Sequence, residues 1–551
     1  MSLGKRMKRL TYLVHRWTGV GACVLMALWF VSGVVMLFVG YPKLTPWERM
    51  RALPALDPAR YCVPVDVALS ATGASGRAQE VVLTRVNGRP AYRIRTAVGK
   101  YLLVDAAEGK PVPPVDAGSA LNGARLFVGS GQGEYVGLIR EDRWTHSRGL
   151  DAHRPLHVVE MDDTAHTRLY VSSVTGQVVM DVPRAQRMWN YVGAWLHWIY
   201  MFRDRSIDPG WSWIVIVLSA ACVLTSVTGT VAGIWRWRFS GRYKSGSRSP
   251  YREFHLRWHH VLGLAFASIV FTWTFSGLMS MNPAGIFDAG GPRPDMAQYR
   301  GDASGAARLD IPVAQALRLL EASRFAASEL EWRALDGRPF ILARNAANDT
   351  RLVVQEKDRY RVLDRWPRTD LVHAARRLLA APILTQGELD RYDAYYYERQ
   401  PEAMMGAAER RLPVVKLRFG DPHATWVYLD VRTGDVALSA DSSQRVGRWL
   451  FSFLHSWDLP AMLRLAALRD AALIVLSLGG LLVSVTGIVI GYRRVLTWIT
   501  HASASHHEPS TPAARTGAGT PQRDRQGSKT AARTPAQSHS ADLDGENRVR
   551  G

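Results

Sequence analysis

Apolar residues are clumped along this chain, and four stretches, 17–42, 209–235, 258–287 and 471–492, contain no Asp, Glu, Lys or Arg. Each exceeds the roughly 20 residues that a helix needs to cross a hydrocarbon core. Transmembrane helices are therefore predicted over 11–40, 209–235, 258–282 and 470–492. The first follows a basic start but has a core too long for a signal peptide and no small-x-small site at its end, so it reads as an uncleaved anchor. Between the spans the period changes. A short helical piece near 65–70 precedes EVVLTRV and AYRIRT, two alternating strands around an Asn-Gly turn, with YLLVD as a third. Later, IPVAQALRLLEAS reads as an amphipathic helix, followed by the strands ELEWRAL, FILAR and RLVVQE. The strands RPLHVVEM and LYVSSVTGQVV reappear as RLPVVKLRF and VYLDVRTGDVA. Two α+β segments, 41–185 and 283–443, are predicted, each followed by an apolar interfacial helix, 186–203 and 444–458.

These recurrences are systematic. HRWTGVG from His15 and HHVLGLA from His259 share a glycine four residues on (Gly19, Gly263) and a Ser-Gly pair seventeen residues on (Ser32-Gly33, Ser276-Gly277). Further along, a constant offset of 258 superposes Pro155 on Pro413, Tyr170 on Tyr428 and Thr175-Gly176 on Thr433-Gly434. The same offset superposes Gln186-Arg187 on Gln444-Arg445, Leu196-His197 on Leu454-His455, and Ser226-Val227-Thr228-Gly229 on 484–487. Spans one and three run in the same direction, so the expected architecture is an integral-membrane, α-helical four-span bundle of two parallel repeats. Its pseudo-twofold axis would lie along the membrane normal.

Composition changes the picture only through placement. At 47% hydrophobic, 21% charged and mean hydropathy −0.09, 551 residues would pass for a soluble protein of three or four domains at about 150 residues each. The clumping excludes a simple secreted or cytosolic enzyme. The charge of +21, from 69 Lys and Arg against 48 Asp and Glu, invites nucleic acid as a partner. Much of it instead flanks the spans: Lys5, Arg6, Lys8, Arg9 and Arg16 before the first, a basic loop over 236–257, and Arg493 and Arg494 after the fourth. The positive-inside rule makes these segments cytoplasmic, with both termini inside and the α+β segments outside. No nucleic-acid partner is expected; the lipid bilayer is. Cys23 and Cys222 lie in spans and Cys62 is alone outside, which makes neither a disulfide framework nor a zinc site. Residues 1–10 form a short cytoplasmic start. Within 493–551, the chain from about 500 onward has no apolar period and reads as a disordered cytoplasmic tail.

Four of sixteen histidines recur between the halves. His15 and His259 fall at the cytoplasmic ends of spans one and three, and His197 and His455 on the two interfacial helices. Ionisable groups inside a bundle are costly and mark function. A pair related by an axis suggests a ligand on that axis, and haem iron accepts two axial imidazoles. Gly19 and Gly263, one turn from His15 and His259, would let a porphyrin lie close. From His15 to Ser32 a helix rises about 25 Å, so two haems would form a wire across the bilayer. A headgroup-layer histidine, a proton-linked site and zinc are the competing readings, zinc lacking a nearby Cys, Asp or Glu to complete four ligands. His255 and His260 offer substitutes for His259, and pairing within each half stays open. The Ser-Gly and Thr-Gly pairs read as packing notches. His146, His153, His157 and His166 read as ordinary surface positions, and Asp142-Arg143-Trp144 and Tyr395-Tyr396-Tyr397 as strand packing. No Walker loop, GxGxxG, HExxH or GxSxG is present.

The HRWTG opening at His15, the block SQRVGRWLFSFLHSWDLP at 443–460, the TGxV strand ends and the SVTG of spans two and four resemble the PepSY-associated transmembrane proteins of bacterial inner membranes. The resemblance covers about 10–495. It implies two periplasmic PepSY-like α+β domains, two b-type haems held by His15, His259, His197 and His455, and reduction of a ferric siderophore or other ferric chelate. The electron donor would be a quinol or a reductase protein. The alternative it implies is a non-enzymatic membrane protein that regulates a periplasmic protease or serves as a subunit of an uptake complex. The longer outer segments, the doubled His259-His260 and the tail depart from the family pattern and bear on the substrate more than on the fold.

Overall fold

The charge-free stretches are helical in the computed structural model, which describes residues 3–505 apart from 61, 75, 77, 130, 206, 302–309 and 407. The expected tail past Ser505 lies outside the described residues. Helices α1 (Leu3–Phe38), α2 (Pro209–Arg236) and α5 (Ala466–Ser505) are long and apolar enough to cross a membrane. The stretch expected to form span three is not one straight helix. It breaks at Phe266 into α3 (Phe254–Ala265) and α4 (Ala267–Ser280), bent by 70°, so a fourth crossing exists if this pair is one span. Neither Pro nor Gly stands at the break. At the break the Phe266 ring packs where a Cβ on Gly479 of α5 would be.

The α+β segments form hairpins where the turn residues demand them. Strands β1 (Ala78–Val86) and β2 (Arg89–Thr96) are joined through Asn87 and Gly88, both at positive φ, and β3 (Tyr101–Asp105) pairs with β2. β4 (Gly133–Ile139), β5 (Leu156–Met161), β6 (Arg168–Ser172) and β7 (Val178–Val182) form an antiparallel sheet in sequence order. β8 (Ala327–Leu335) and β9 (Arg338–Asn345) turn through Asp336 and Gly337, followed by β10 (Thr350–Glu356) and β11 (Arg359–Leu363). β12 (Ile383–Leu389), β13 (Val414–Phe419), β14 (Trp426–Asp430) and β15 (Val436–Ala440) make a second four-stranded sheet. β5, β6 and β7 stand 258 residues before β13, β14 and β15 at both ends, and the turn residues Gly176 and Gly434 both have positive φ.

The two α+β segments do not remain separate. β1 pairs antiparallel with β8, so hairpins from both halves fuse into one sheet of order β11-β10-β9-β8-β1-β2-β3. At the seam Val81 faces Trp332, Val82 faces Glu331 and Leu83 faces Leu330. Val82 and Glu331 precede their Asn-Gly and Asp-Gly turns by the same number of residues, so like position meets like. One face of the sheet is covered by the short helices Val65–Ala71 and Val313–Ala322, with Leu83, Tyr92, Ile94, Leu330, Ile341 and Val353 in the shared core. Phe340, Leu342 and Leu352 pack from the other face against Val415, Leu417, Val427 and Leu429 of β13 and β14. Ion pairs bind the layers: Arg49 is bidentate to Glu329 at 2.7 and 2.8 Å, and Arg333 reaches Asp435 at 2.8 Å.

Candidate functional site

The apolar helices that follow β7 and β15 place two of the four histidines. Each opens as a regular helix, Arg184–Asn190 and Ser442–Gly447, then widens into a π-helical turn, Tyr191–Trp195 and Arg448–Phe453, just before His197 and His455. Such wide turns re-aim side chains and gather at functional sites. Ile199 and Trp457, two residues past the histidines, both take positive φ and end the segments alike.

His197 and His455 face one another with ring centroids 6.0 Å apart, and His15 and His259 do so at 6.3 Å. Pairing is thus between the halves, not within them. The second pair lies far along α1 from the first, because Ser32 touches His197 while His15 is seventeen residues earlier.

The surroundings fix which nitrogen each ring offers. Ser32 donates its one hydroxyl proton to the Trp29 carbonyl, so its oxygen accepts from His197 Nδ1 at 3.0 Å. Ser276 does the same with Trp273 and His455, also at 3.0 Å. His15 Nδ1 donates to the Thr225 carbonyl at 3.1 Å and His259 Nδ1 to the Val483 carbonyl at 3.0 Å. With the Nδ1 proton so placed, Nε2 carries the lone pair in all four rings. That is the arrangement by which a second shell orients a metal-binding imidazole. Two imidazoles held trans across one metal ion, each nitrogen about 2 Å from it, have ring centroids roughly 6 Å apart, the spacing of both pairs.

Gly19 and Gly263, expected to leave room for a porphyrin, do not touch the histidine rings themselves. A Cβ on Gly19 would meet Thr225 at 3.8 Å, and one on Gly263 would meet open space. The seats are the glycines read as packing notches. A Cβ on Gly229 would lie 2.5 Å from His15 Cε1, and one on Gly487 would lie 3.1 Å from His259 Cε1 and overlap Cys23 Sγ. Gly33 and Gly277 stand next to His197 and His455 at 3.8 and 3.9 Å. The signal for these seats was in the repeat: both Ser-Gly and both SVTG motifs recur with the histidines.

His260 does not substitute for His259. Its Nδ1 bonds Ser249 Oγ at 2.8 Å and its Nε2 the Gly233 carbonyl at 2.9 Å, so it pins the basic loop. His255 packs edge-on to the Phe254 ring. His146, His153, His157 and His166 do not converge, and among the described residues no three His, Cys, Asp or Glu cluster as a metal site. His157 is not on the surface: it is buried, bonded to Tyr135 and the Val115 carbonyl. Burial, then the Arg93 charge, pushes the His153 imidazole down to about 4, and it stacks on Tyr101. Trp144 and Tyr396 are buried, and Tyr396 stacks on Tyr428, which is strand packing. Near His455 the two halves diverge. Asp458 pairs with Arg448 at 2.9 Å and accepts from Tyr397, whereas its counterpart Tyr200 joins an aromatic group of Tyr41, Trp198 and Trp211 under Arg203.

Apolar crossing helices joined to stacked β-sheets define a multi-pass membrane protein with α+β domains. Residues 12–494 match the PepSY-associated TM region, and the chain belongs to that family. No curated protein matches it.

Proposed function

We propose that this protein is a haem-binding electron-transfer protein of the bacterial inner membrane that reduces a ferric chelate, chiefly a ferric siderophore, in the periplasm and so releases iron(II). In this reading the chain is a twofold parallel repeat crossing four times, with α3 and α4 as one broken span, both termini cytoplasmic and the sheets periplasmic. The observation that carries it is the pair of cross-half histidine sites, each with Nδ1 anchored, Nε2 free to ligate and the ring spacing suited to a shared iron. Two b-type haems, when bound, supply reversible one-electron chemistry at the two faces. The chain does the rest. His15 and His259 hold the cytoplasmic site, His197 and His455 the periplasmic one, and Ser32 and Ser276 keep the outer rings in the ligating tautomer. The fused sheet holds the halves opposed and offers the surface on which the chelate docks. Electrons enter from a quinol or a reductase protein.

The test is the visible spectrum of the purified protein, oxidised and dithionite-reduced, with a pyridine haemochrome count. The expected result is about two haems per chain, one lost in His15→Ala and the other in His197→Ala. A colourless protein from haem-replete cells would overturn the reading in favour of a PepSY protein that binds a periplasmic partner.

A further inference from the structure

Between the two histidine pairs lies a cluster to which all the candidate crossing helices contribute. Ala22, Cys23, Met26, Phe30, Cys222 and Val270 are buried in it, and Phe266, Trp273, Leu481 and Ile488 pack against it. The Phe30 ring stands 5.9 Å from the Trp273 ring. Two glycines of α5 are its seats: a Cβ on Gly479 would overlap the Phe266 ring, and one on Gly480 the Phe30 ring.

In this layer Trp273 keeps the repeat as the counterpart of Trp29, but the ring–glycine contacts break it. By the offset that relates His15 to His259, Phe30 corresponds to Thr274 and Phe266 to Ala22. By the offset that relates His197 to His455, Gly479 and Gly480 correspond to Ala221 and Cys222. Each large ring therefore meets a glycine that the other half lacks. Phe266 meets Gly479 within its own half and Phe30 meets Gly480 across the halves, and each large ring fills the space its glycine leaves.

We propose that Phe30, Phe266 and Trp273, seated on Gly479 and Gly480, form a dry septum that separates the inner histidine pair from the outer one. The septum lets charge pass between them as electrons unaccompanied by water, protons or ions. This rests on the electron-transfer reading for its purpose but not for its geometry. One electron leaves the inner site and arrives at the outer one; no bond forms or breaks in the septum and no proton crosses it.

Cys222, buried in this layer as the counterpart of Gly480, reports on it, whereas Cys23 lies at the inner histidine seat beside Gly487. In a Cys23→Ala, Cys62→Ser background in proteoliposomes, a water-soluble maleimide should leave Cys222 unlabelled, and a trapped pH dye should report no proton leak. Phe30→Ala and Phe266→Ala should admit the reagent and leak protons, while Phe30→Leu, which keeps the bulk, should stay sealed. Each variant is checked for the parent's monodisperse elution and haem content. Should Phe30→Ala not fold, Trp273→Ala carries the same expectation. Ready labelling of Cys222 in the parent background, or folded alanine variants as tight as the parent, would overturn the septum. A colourless but sealed parent would instead overturn the electron-transfer reading and leave the barrier standing.

Discussion

The His15 ring lies where α2 has no side chain, and that contact sets a sharp contrast between glycines. Gly229→Ala should displace the ring and abolish the inner site's spectral signature, at a cost in stability of about 1–3 kcal/mol for overpacking. Gly21→Ala, facing open space, should leave both the spectrum and the melting temperature near the parent's. Comparing the haem counts and melts of the two variants checks this. A second residue-scale prediction concerns Asp181 on β7. Burial, then the nearby Glu48, lifts its carboxyl to about 7, above the usual value of about 4. A raised folded value means stability that is full below about pH 4 and is lost as pH rises through 7. Asp181→Asn should remove that loss. Thermal melts at pH 5 and pH 8 should then differ for the parent and agree for the variant.

At the scale of elements, the short helix Pro46–Arg51 ties the end of α1 to the fused sheet. Burial alone would raise the Glu329 carboxyl, but the charge and hydrogen bonds of Arg49 outweigh it and hold the group down to about 2. A depressed folded value contributes stability above about pH 4.5 that disappears as pH falls toward 2. Arg49→Met should cost about 3–5 kcal/mol near neutrality, because it strands a buried carboxylate. It should also flatten the acid limb, which urea melts between pH 7 and 3 would show. Hairpins, short helices and the three long apolar helices α1, α2 and α5 were legible because each is specified locally, by period and by turn residues such as Asn87-Gly88. The break at Phe266 was not, since neither Pro nor Gly marks it and the ring there packs on a glycine of another helix more than two hundred residues away. The π turns were equally hidden, because an apolar run reads alike in either helical winding.

For the whole molecule, the seam between β1 and β8 and both histidine pairs cross from one half to the other, while the loop 237–252 is the only chain connection between the halves. Two fragments cut within that loop, 1–244 and 245–551, should therefore copurify when expressed together from a tag on the first. Each fragment alone should lose the spectral signature of both sites. Copurification without either signature would show that the sheet seam suffices for association but not for opposing the histidines.

The sequence by itself determined that the chain enters a membrane, that its halves echo one another, where the hairpins turn and which four histidines recur between the halves. All of these are properties of neighbouring residues or of a pattern compared with itself. Only the tertiary structure decided that the histidines pair across halves, that the two α+β segments share one sheet and that SVTG glycines seat the rings. Those outcomes turn on which surfaces meet in space. A periodic pattern states that a face is apolar, but not which side chain of a distant segment will fill it.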